Sequence, residues 1–260
     1  MLNEGQIKAA IIDRLFATGA LDDAVLINEM VVANWSRRVD LAVANGRLHA
    51  FEVKSDLDTL RRLPGQLSTY LDRFDKVTIV TTSRFAKIIR DMTDDCVEIW
   101  EASETSEGVA LKIIRRGRSA DVVNRRVLCG FLHKPELVSY LTSNKIFANT
   151  DMPREILVNL TESTSVRAMR KFVLSALKVR YKETFERFQE VRLSHTKIDD
   201  LIGLSKSKLR LDRTPPKLTA IPSPKSHGNA RQINLQALAK KYGPLPDTMP
   251  TMVLRKVPIV

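Results

Sequence analysis

The sequence predicts an α/β protein: a mixed central β-sheet flanked by helices, then a mainly helical region, then a basic proline-rich tail. Three observations predict it. Helix-type and strand-type segments alternate through roughly the first 118 residues. Between 164 and 190, Val166, Met169, Phe172, Val173, Leu177, Tyr181, Phe185 and Phe188 recur at helical spacing. Eight of the 11 prolines then fall after Thr214, among Lys, Ser, Asn and Gly. The expected domains are therefore 1–118, 119–212 and 213–260.

Taken in order, a first helix is predicted over about 4–18, with Asn3 as cap, Gln6 three positions on, and Ile7, Ile11, Leu15 and Phe16 as its apolar stripe. VLINEMVV (25–32) reads as a strand, and RVDLAVA (38–44) and RLHAFEVK (47–54) as strands meeting at Asn45-Gly46. DLDTLRRLPGQLSTYLDRF reads as a helix capped by Asp56 or Asp58, with Pro64-Gly65 as an early break or kink. KVTIVTT (76–82) is a buried type of strand, SRFAKIIRDM a helix, and CVEIWEA and VALKIIR two closing strands. Helical segments are expected near 121–146, 153–160 and 164–190, and a short helix is possible at QINLQALAKKY in the otherwise extended tail. No internal repeat is visible.

The chain has 260 residues, 43% apolar and 28% charged, ordinary for a soluble globular protein. There is no apolar run long enough to span a membrane, and the start MLNEGQIKAA does not resemble a signal peptide. Cys96 and Cys129 fit no metal spacing and are expected as reduced thiols of a cytoplasmic protein. Residues 1–100 hold 13 Lys and Arg against 15 Asp and Glu, whereas the rest hold 29 against 15. That asymmetry points to a polyanionic partner, nucleic acid foremost; an acidic protein would leave the same mark. The four histidines show no ligand or triad spacing, and no glycine-rich loop suggests ATP hydrolysis.

The chemistry-bearing stretch is RRVDLAVANGRLHAFEVKSDLDTL (37–60). Side chains alternate across a strand, so Glu52 and Lys54 share one side and Phe51 and Val53 the other. For the apolar sets to share a face, Asp40 must join Glu52 and Lys54. A two-residue Asn45-Gly46 loop would split the apolar residues between faces. A three-residue loop, Ala44-Asn45-Gly46, with Gly46 left-handed, restores agreement and sets Asp40 across from Ala50. Two carboxylates so placed call for a hard cation, Mg²⁺ or Mn²⁺, with the Val53 carbonyl a natural extra ligand and Lys54 facing water and phosphate.

Asp40 followed by Glu52-Val53-Lys54 resembles the D…ExK signature of the PD-(D/E)XK nuclease superfamily, over roughly residues 1–100. Glu4 resembles its accessory metal-binding glutamate, and Gln66 and Tyr70 its QxxxY motif on the helix after the lysine. The run EVKSDLDTLRRLPGQLSTYLDRFDKVTIV also looks like a bacterial and phage family of small nuclease-like proteins. Val39 stands where the superfamily pattern has proline. The resemblance implies a restriction-endonuclease-like core and a metal-dependent nuclease acting on DNA more than RNA. Asp40, Glu52, Lys54, Gln66 and Tyr70 would be catalytic, and Asp40, Glu52, Val53 and Glu4 metal-binding.

Plainer readings stand beside these. Glu52 and Lys54 can form an exposed cross-strand pair, Glu4 can be a helix-start acid, and Gln66 and Tyr70 can simply pack. Glu29, interrupting an apolar strand, is a candidate ligand or supporting carboxylate. Arg61, Arg62, Arg115, Arg116, Arg118, Arg125, Arg126 and the Lys206-Ser207-Lys208 cluster are expected phosphate contacts or a solubilising surface. The alternative to a nuclease is a non-catalytic nucleic-acid-binding or regulatory module on the same scaffold, including a triggered phage-defence component. A homodimer or a protein partner is compatible with either.

Overall fold

The structure is a computed structural model that describes residues 1–33, 36–204, 230–232, 235, 240 and 252–254. Residues Met1–Asp212 form one compact unit and Arg213–Val260 another.

The first unit begins with helix α1 (Glu4–Ala17). Its capping box closes as expected: Gln6 N–H donates to Asn3 Oδ1 and Asn3 N–H to Gln6 Oε1, each at 2.9 Å. Ile7, Ile11, Ile12 and Leu15 are buried along one stripe, and Lys8 is buried with them. Strands β1 (Val25–Val32), β2 (Arg37–Ala44) and β3 (Leu48–Lys54) follow as an antiparallel meander. Helix α2 (Leu63–Leu71) crosses to β4 (Lys76–Thr82), which lies parallel to β3. Helix α3 (Ser83–Met92) crosses to β5 (Glu98–Thr105), parallel to β4, and β6 (Gly108–Arg115) closes the sheet antiparallel to β5. The strand order is β1-β2-β3-β4-β5-β6, the mixed sheet the alternating pattern predicts.

Helix α2 starts later than expected, because neither candidate aspartate caps it. Asp58 accepts the Ser55 amide (2.8 Å) and hydroxyl (2.6 Å), closing a tight turn. Asp56 holds the Leu2 amide at 3.0 Å and the Thr82 hydroxyl at 2.7 Å. Pro64 therefore sits in the first turn, where a helix needs no amide, and opens the helix instead of kinking it.

Beyond the sheet, the segment expected at 121–146 divides into α4 (Arg125–Gly130) and α5 (Lys134–Ser143), with Pro135 opening the second. Helices α6 (Arg154–Leu160) and α7 (Val166–Val191) follow. The expected boundary at 118 marks a change of architecture, but both sides belong to one compact unit and one hydrophobic core. Asp75 clasps the two sides together. Its buried carboxylate accepts the Leu48 amide (2.7 Å) and the Val122 amide (2.9 Å) and takes both arms of Arg170 from α7.

In the second unit, β7 (Ala230–Gln232) pairs antiparallel with β8 (Met252–Leu254), a local pairing where an extended tail was expected. Lys206-Ser207-Lys208 and most of QINLQALAKKY lie outside the described residues. No described helix is long and apolar enough to cross a membrane.

Candidate functional site

The site grows out of the β2–β3 register. Ala44 faces Leu48, Ala42 faces Ala50 and Leu41 faces Phe51, so the loop is Asn45-Gly46-Arg47, closed by a hydrogen bond from Asn45 N–H to Arg47 O (3.2 Å). The loop has the expected three residues but lies one position further on, with Gly46 at φ +103°. The parity argument survives and the pairing changes. Asp40 stands in line with Glu52, not Ala50, as the next step of that register. On the other flank, Asn28 faces Leu41 and Met30 faces Val39, which sets Glu29 in line with Asp40. Three acidic residues thus form a row across β1, β2 and β3.

Glu29 holds its place in a backbone conformation (φ +58°) that residues with a Cβ rarely adopt. Such strain persists where its surroundings enforce it. Here the carboxylate is gripped on both sides: Oε1 accepts from Lys8 Nζ at 2.9 Å and Oε2 pairs with Arg38 Nε at 2.8 Å. Lys8 rises from α1 into the same acids, 2.5 Å from Glu4 Oε1 and 3.9 Å from Asp40 Oδ1. Carboxylate oxygens of Glu4, Glu29 and Asp40 all lie within 4.8 Å of one another. Lys8 is 3% exposed, and its position was not foreseen as part of the site.

At the other end of the row, Glu52 is 1% exposed. Its Oε1 accepts from Lys54 Nζ (2.6 Å) and Gln66 Nε2 (2.5 Å), while Oε2 is buried without a hydrogen-bond partner among the described residues. Gln66 Oε1 is orphaned in the same way. The Tyr70 hydroxyl donates to the Arg38 carbonyl at 2.8 Å, and it also lies close enough to the Glu52 carboxylate to help hold its charge. Asp40 Oδ2 accepts the Val53 amide at 2.7 Å, so Val53 joins the site through its N–H. The structure brings Glu52, Lys54 and Gln66 into direct contact, with Asp40 and Tyr70 beside them and Glu4 at the rim.

The electrostatics follow from burial. Desolvation, then the charge of Glu52, pushes the Asp40 carboxyl up to about 8, against the pull of Lys8 and the Val53 amide. Desolvation also raises Glu52, with Lys54 opposing. Burial, Glu52 and Asp40 hold the Tyr70 phenol well above its ordinary value. For Lys8, desolvation works against the charge, but Asp40, Glu4 and Glu29 outweigh it and hold the ammonium above its ordinary range.

A divalent ion with oxygen ligands fits what is present. A buried carboxylate oxygen with no donor costs about 1–3 kcal/mol, and here it sits beside a second carboxylate that resists ionising. Both conditions would be relieved by a cation within reach of the Asp40 and Glu52 carboxylates.

A family model described as bacteriophage P4 protein cII matches residues 1–205. Protein cII of Enterobacteria phage P4 is 38% identical over 260 residues, covering 99% of this chain and 98% of that one. The chain belongs to the bacteriophage P4 protein cII family. A Silicibacter pomeroyi protein of unknown function is similar in structure over 56% of this chain and 97% of its own, at 19% identity and a TM-score of 0.37. The cII family match takes in the sheet, the acidic row and all of α1 to α7.

Of the basic residues expected at phosphate in this family member, Arg61, Arg62, Arg116 and Arg118 are exposed. Arg126 is exposed but lies 3.5 Å from Glu155 and 3.0 Å from the Asn159 side chain. Arg115 requires a correction. Its guanidinium donates to the carbonyls of Val97 (3.1 Å) and of Arg90, Thr93 and Asp94 (3.0 Å each), tying the end of α3 to the sheet. The Arg125 guanidinium is likewise engaged, by the Thr164 carbonyl. Arg115 stabilises the fold because its fork of donors satisfies carbonyls where α3 ends, whereas Arg125 contributes a single such bond and keeps a buried Nε without a partner among the described residues.

Proposed function

We propose that this phage-family protein is a nucleic-acid-binding module on a nuclease-like scaffold, and that its acidic row equips it for metal-dependent phosphodiester hydrolysis, DNA being the expected substrate. The observation that carries the hydrolytic part is the orphaned, buried Glu52 Oε2 beside Asp40, with Lys54 on the same carboxylate.

Asp40 and Glu52 would hold Mg²⁺ or Mn²⁺, which when bound supplies Lewis acidity and a more acidic coordinated water. Lys54 shares the Glu52 face, so its ammonium orients the attacking water and offsets charge developing on the phosphate. Gln66 fixes the Glu52 rotamer through its amide, and Tyr70 anchors α2 to the β2 backbone at Arg38. Arg61, Arg62, Arg116 and Arg118 offer exposed charge for the polyanion backbone.

A second reading, binding without cleavage, has its own support. The carboxylates already have cations from the chain, in Lys8, Arg38 and Lys54. The family's description names a phage protein and no hydrolase, which favours this more modest half. One panel separates the two: single-stranded, double-stranded and nicked DNA and RNA, each with Mg²⁺, Mn²⁺ or EDTA, alongside Lys54→Ala and Asp40→Ala. Cleavage that needs metal and vanishes in both variants is expected. Salt-dependent binding with no metal-dependent cleavage of any substrate leaves the binding module alone.

A further inference from the structure

The Glu4, Glu29 and Asp40 oxygens have the spacing of a cation site, and the cation already there is Lys8. We propose that Lys8 is a built-in substitute for a second divalent ion, so that the acidic row takes one metal ion, at Asp40 and Glu52, and not two. This rests on the metal-binding part of the function proposed above.

Three observations converge. The first is placement: Lys8 lies on the apolar stripe of α1 with Ile11, Ile12 and Leu15, so the helix can dock on the core only by delivering that ammonium into the acids. The second is the difference between the two ends of the row. Around Lys8, Glu29 is bonded through both oxygens, to Lys8 and Arg38, and Glu4 is paired. At the far end, Glu52 keeps an orphaned oxygen although it is 1% exposed. Among the described residues, the buried carboxylate oxygen that lacks a hydrogen-bond partner is therefore on the Asp40–Glu52 side.

The third is charge. Four carboxylates, Glu4, Glu29, Asp40 and Glu52, meet three cations, Lys8, Arg38 and Lys54, leaving one formal negative charge. One divalent ion together with one phosphodiester brings that ensemble to neutrality. A second divalent ion would leave it doubly positive around side chains of which Lys8, Glu52 and Lys54 are buried, which is unfavourable. Replacing Lys8 by a neutral residue deepens the formal deficit to two charges, so that a second ion would leave the ensemble singly and not doubly positive.

The test uses Mn²⁺ and the full chain, with stoichiometry read by calorimetry and by electron paramagnetic resonance. Wild type is expected to bind one Mn²⁺, and Lys8→Gln two, with spin coupling between the neighbouring ions. Two ions in wild type, or no gain in Lys8→Gln, would overturn the assignment. The failure of the hydrolytic reading looks different. Wild type would bind no Mn²⁺ while Lys8→Gln gains one, in which case Lys8 still stands in for a cation and the Asp40–Glu52 position is not a metal site. Should Lys8→Gln fail to fold even with Mn²⁺, Glu29→Gln decides. With Lys8 in place Glu29 pairs with the ammonium, so Mn²⁺ affinity stays within about twofold; a tenfold loss would make Glu29 a metal ligand and sink the proposal.

Discussion

Two buried carboxylates, Asp75 and Glu52, sit in the same sheet domain and are treated in opposite ways. Asp75 has both oxygens engaged, by two backbone amides and a two-armed arginine. Glu52 has one oxygen crowded by Lys54 and Gln66 and the other without a geometric hydrogen-bond partner among the described residues. A carboxylate buried for stability is fully satisfied by its own chain. One buried with a lone pair to spare, next to a second acid that burial keeps from ionising, is arranged for something the chain does not itself provide. The contrast separates clasp from site without appeal to the motif.

The widest gap between the two should appear in folding stability. Asp75→Ala leaves Arg170 facing Asp121 alone and strips the Leu48 and Val122 amides of their acceptor. Breaking a buried pair in this way costs about 3–5 kcal/mol, measurable by urea unfolding. Glu52→Gln should cost less by the same assay: it leaves the buried Lys54 ammonium without its carboxylate, but it also removes a desolvated charge that the chain satisfies through one oxygen only. A loss at Glu52 as large as that at Asp75 would erase the distinction.

Activity should reverse the order. Lys54→Ala and Asp40→Asn are expected to lower metal-dependent cleavage by about 10²–10⁴-fold, the range of a lost positioning or proton-transfer group. A mild clasp variant, Arg170→Lys, which keeps a cation near Asp75, should leave the rate per folded molecule unchanged. Single-turnover rates normalised to folded protein check both.

How much of this was legible beforehand differs between the two regions for a physical reason. Strand alternation is strictly local, so the shared face of Asp40, Glu52 and Lys54 could be derived from residues 38–54 alone. The loop lies one position from where it was expected, which moves the partner of Asp40 by two residues and keeps the faces, because Asn-Gly turns admit several three-residue geometries and only packing selects among them. Lys8 left a readable mark, a lysine three and four residues before Ile11 and Ile12 on the apolar stripe, but its partners on β1 and β2 are tertiary. The Asp75–Arg170 clasp spans 95 residues and left none. Arg115 misled for the same reason: local sequence shows a basic cluster, not which guanidinium is consumed by carbonyls at the end of α3.

The next effect is smaller and concerns protons. Asp40, pushed up to about 8, retains a proton in the metal-free fold that the unfolded chain has already lost above about pH 4. Its contribution to metal-free stability therefore declines as pH rises from about 4 to about 8 and levels off beyond. A bound cation needs the carboxylate form, so Mn²⁺ affinity should rise by up to about tenfold per pH unit between 6 and 8, with one proton released. Calorimetry in buffers of different ionisation enthalpy counts that proton. An Asp40→Asn protein whose residual Mn²⁺ binding kept the full pH dependence would assign it elsewhere.

The smallest expected effect tests the comparison at the surface, where exposed and consumed arginines stand for the same two categories. Arg61 and Arg62 are exposed beside α2, whereas Arg115 is 12% exposed and spent on carbonyls. If the polyanion lies along the exposed set, Arg61→Gln and Arg62→Gln should each flatten the plot of log K against log salt by about one, without moving the melting temperature. Arg115→Gln should do the reverse: it leaves the salt slope alone and lowers stability by about 1–3 kcal/mol, because carbonyls at the end of α3 lose their donors. The argument turns on the crossover. Long-range attraction depends on where a charge is, so a slope that fell for Arg115 as much as for Arg61 would mean that net charge, and not a defined path of exposed guanidinium groups, governs nucleic-acid affinity.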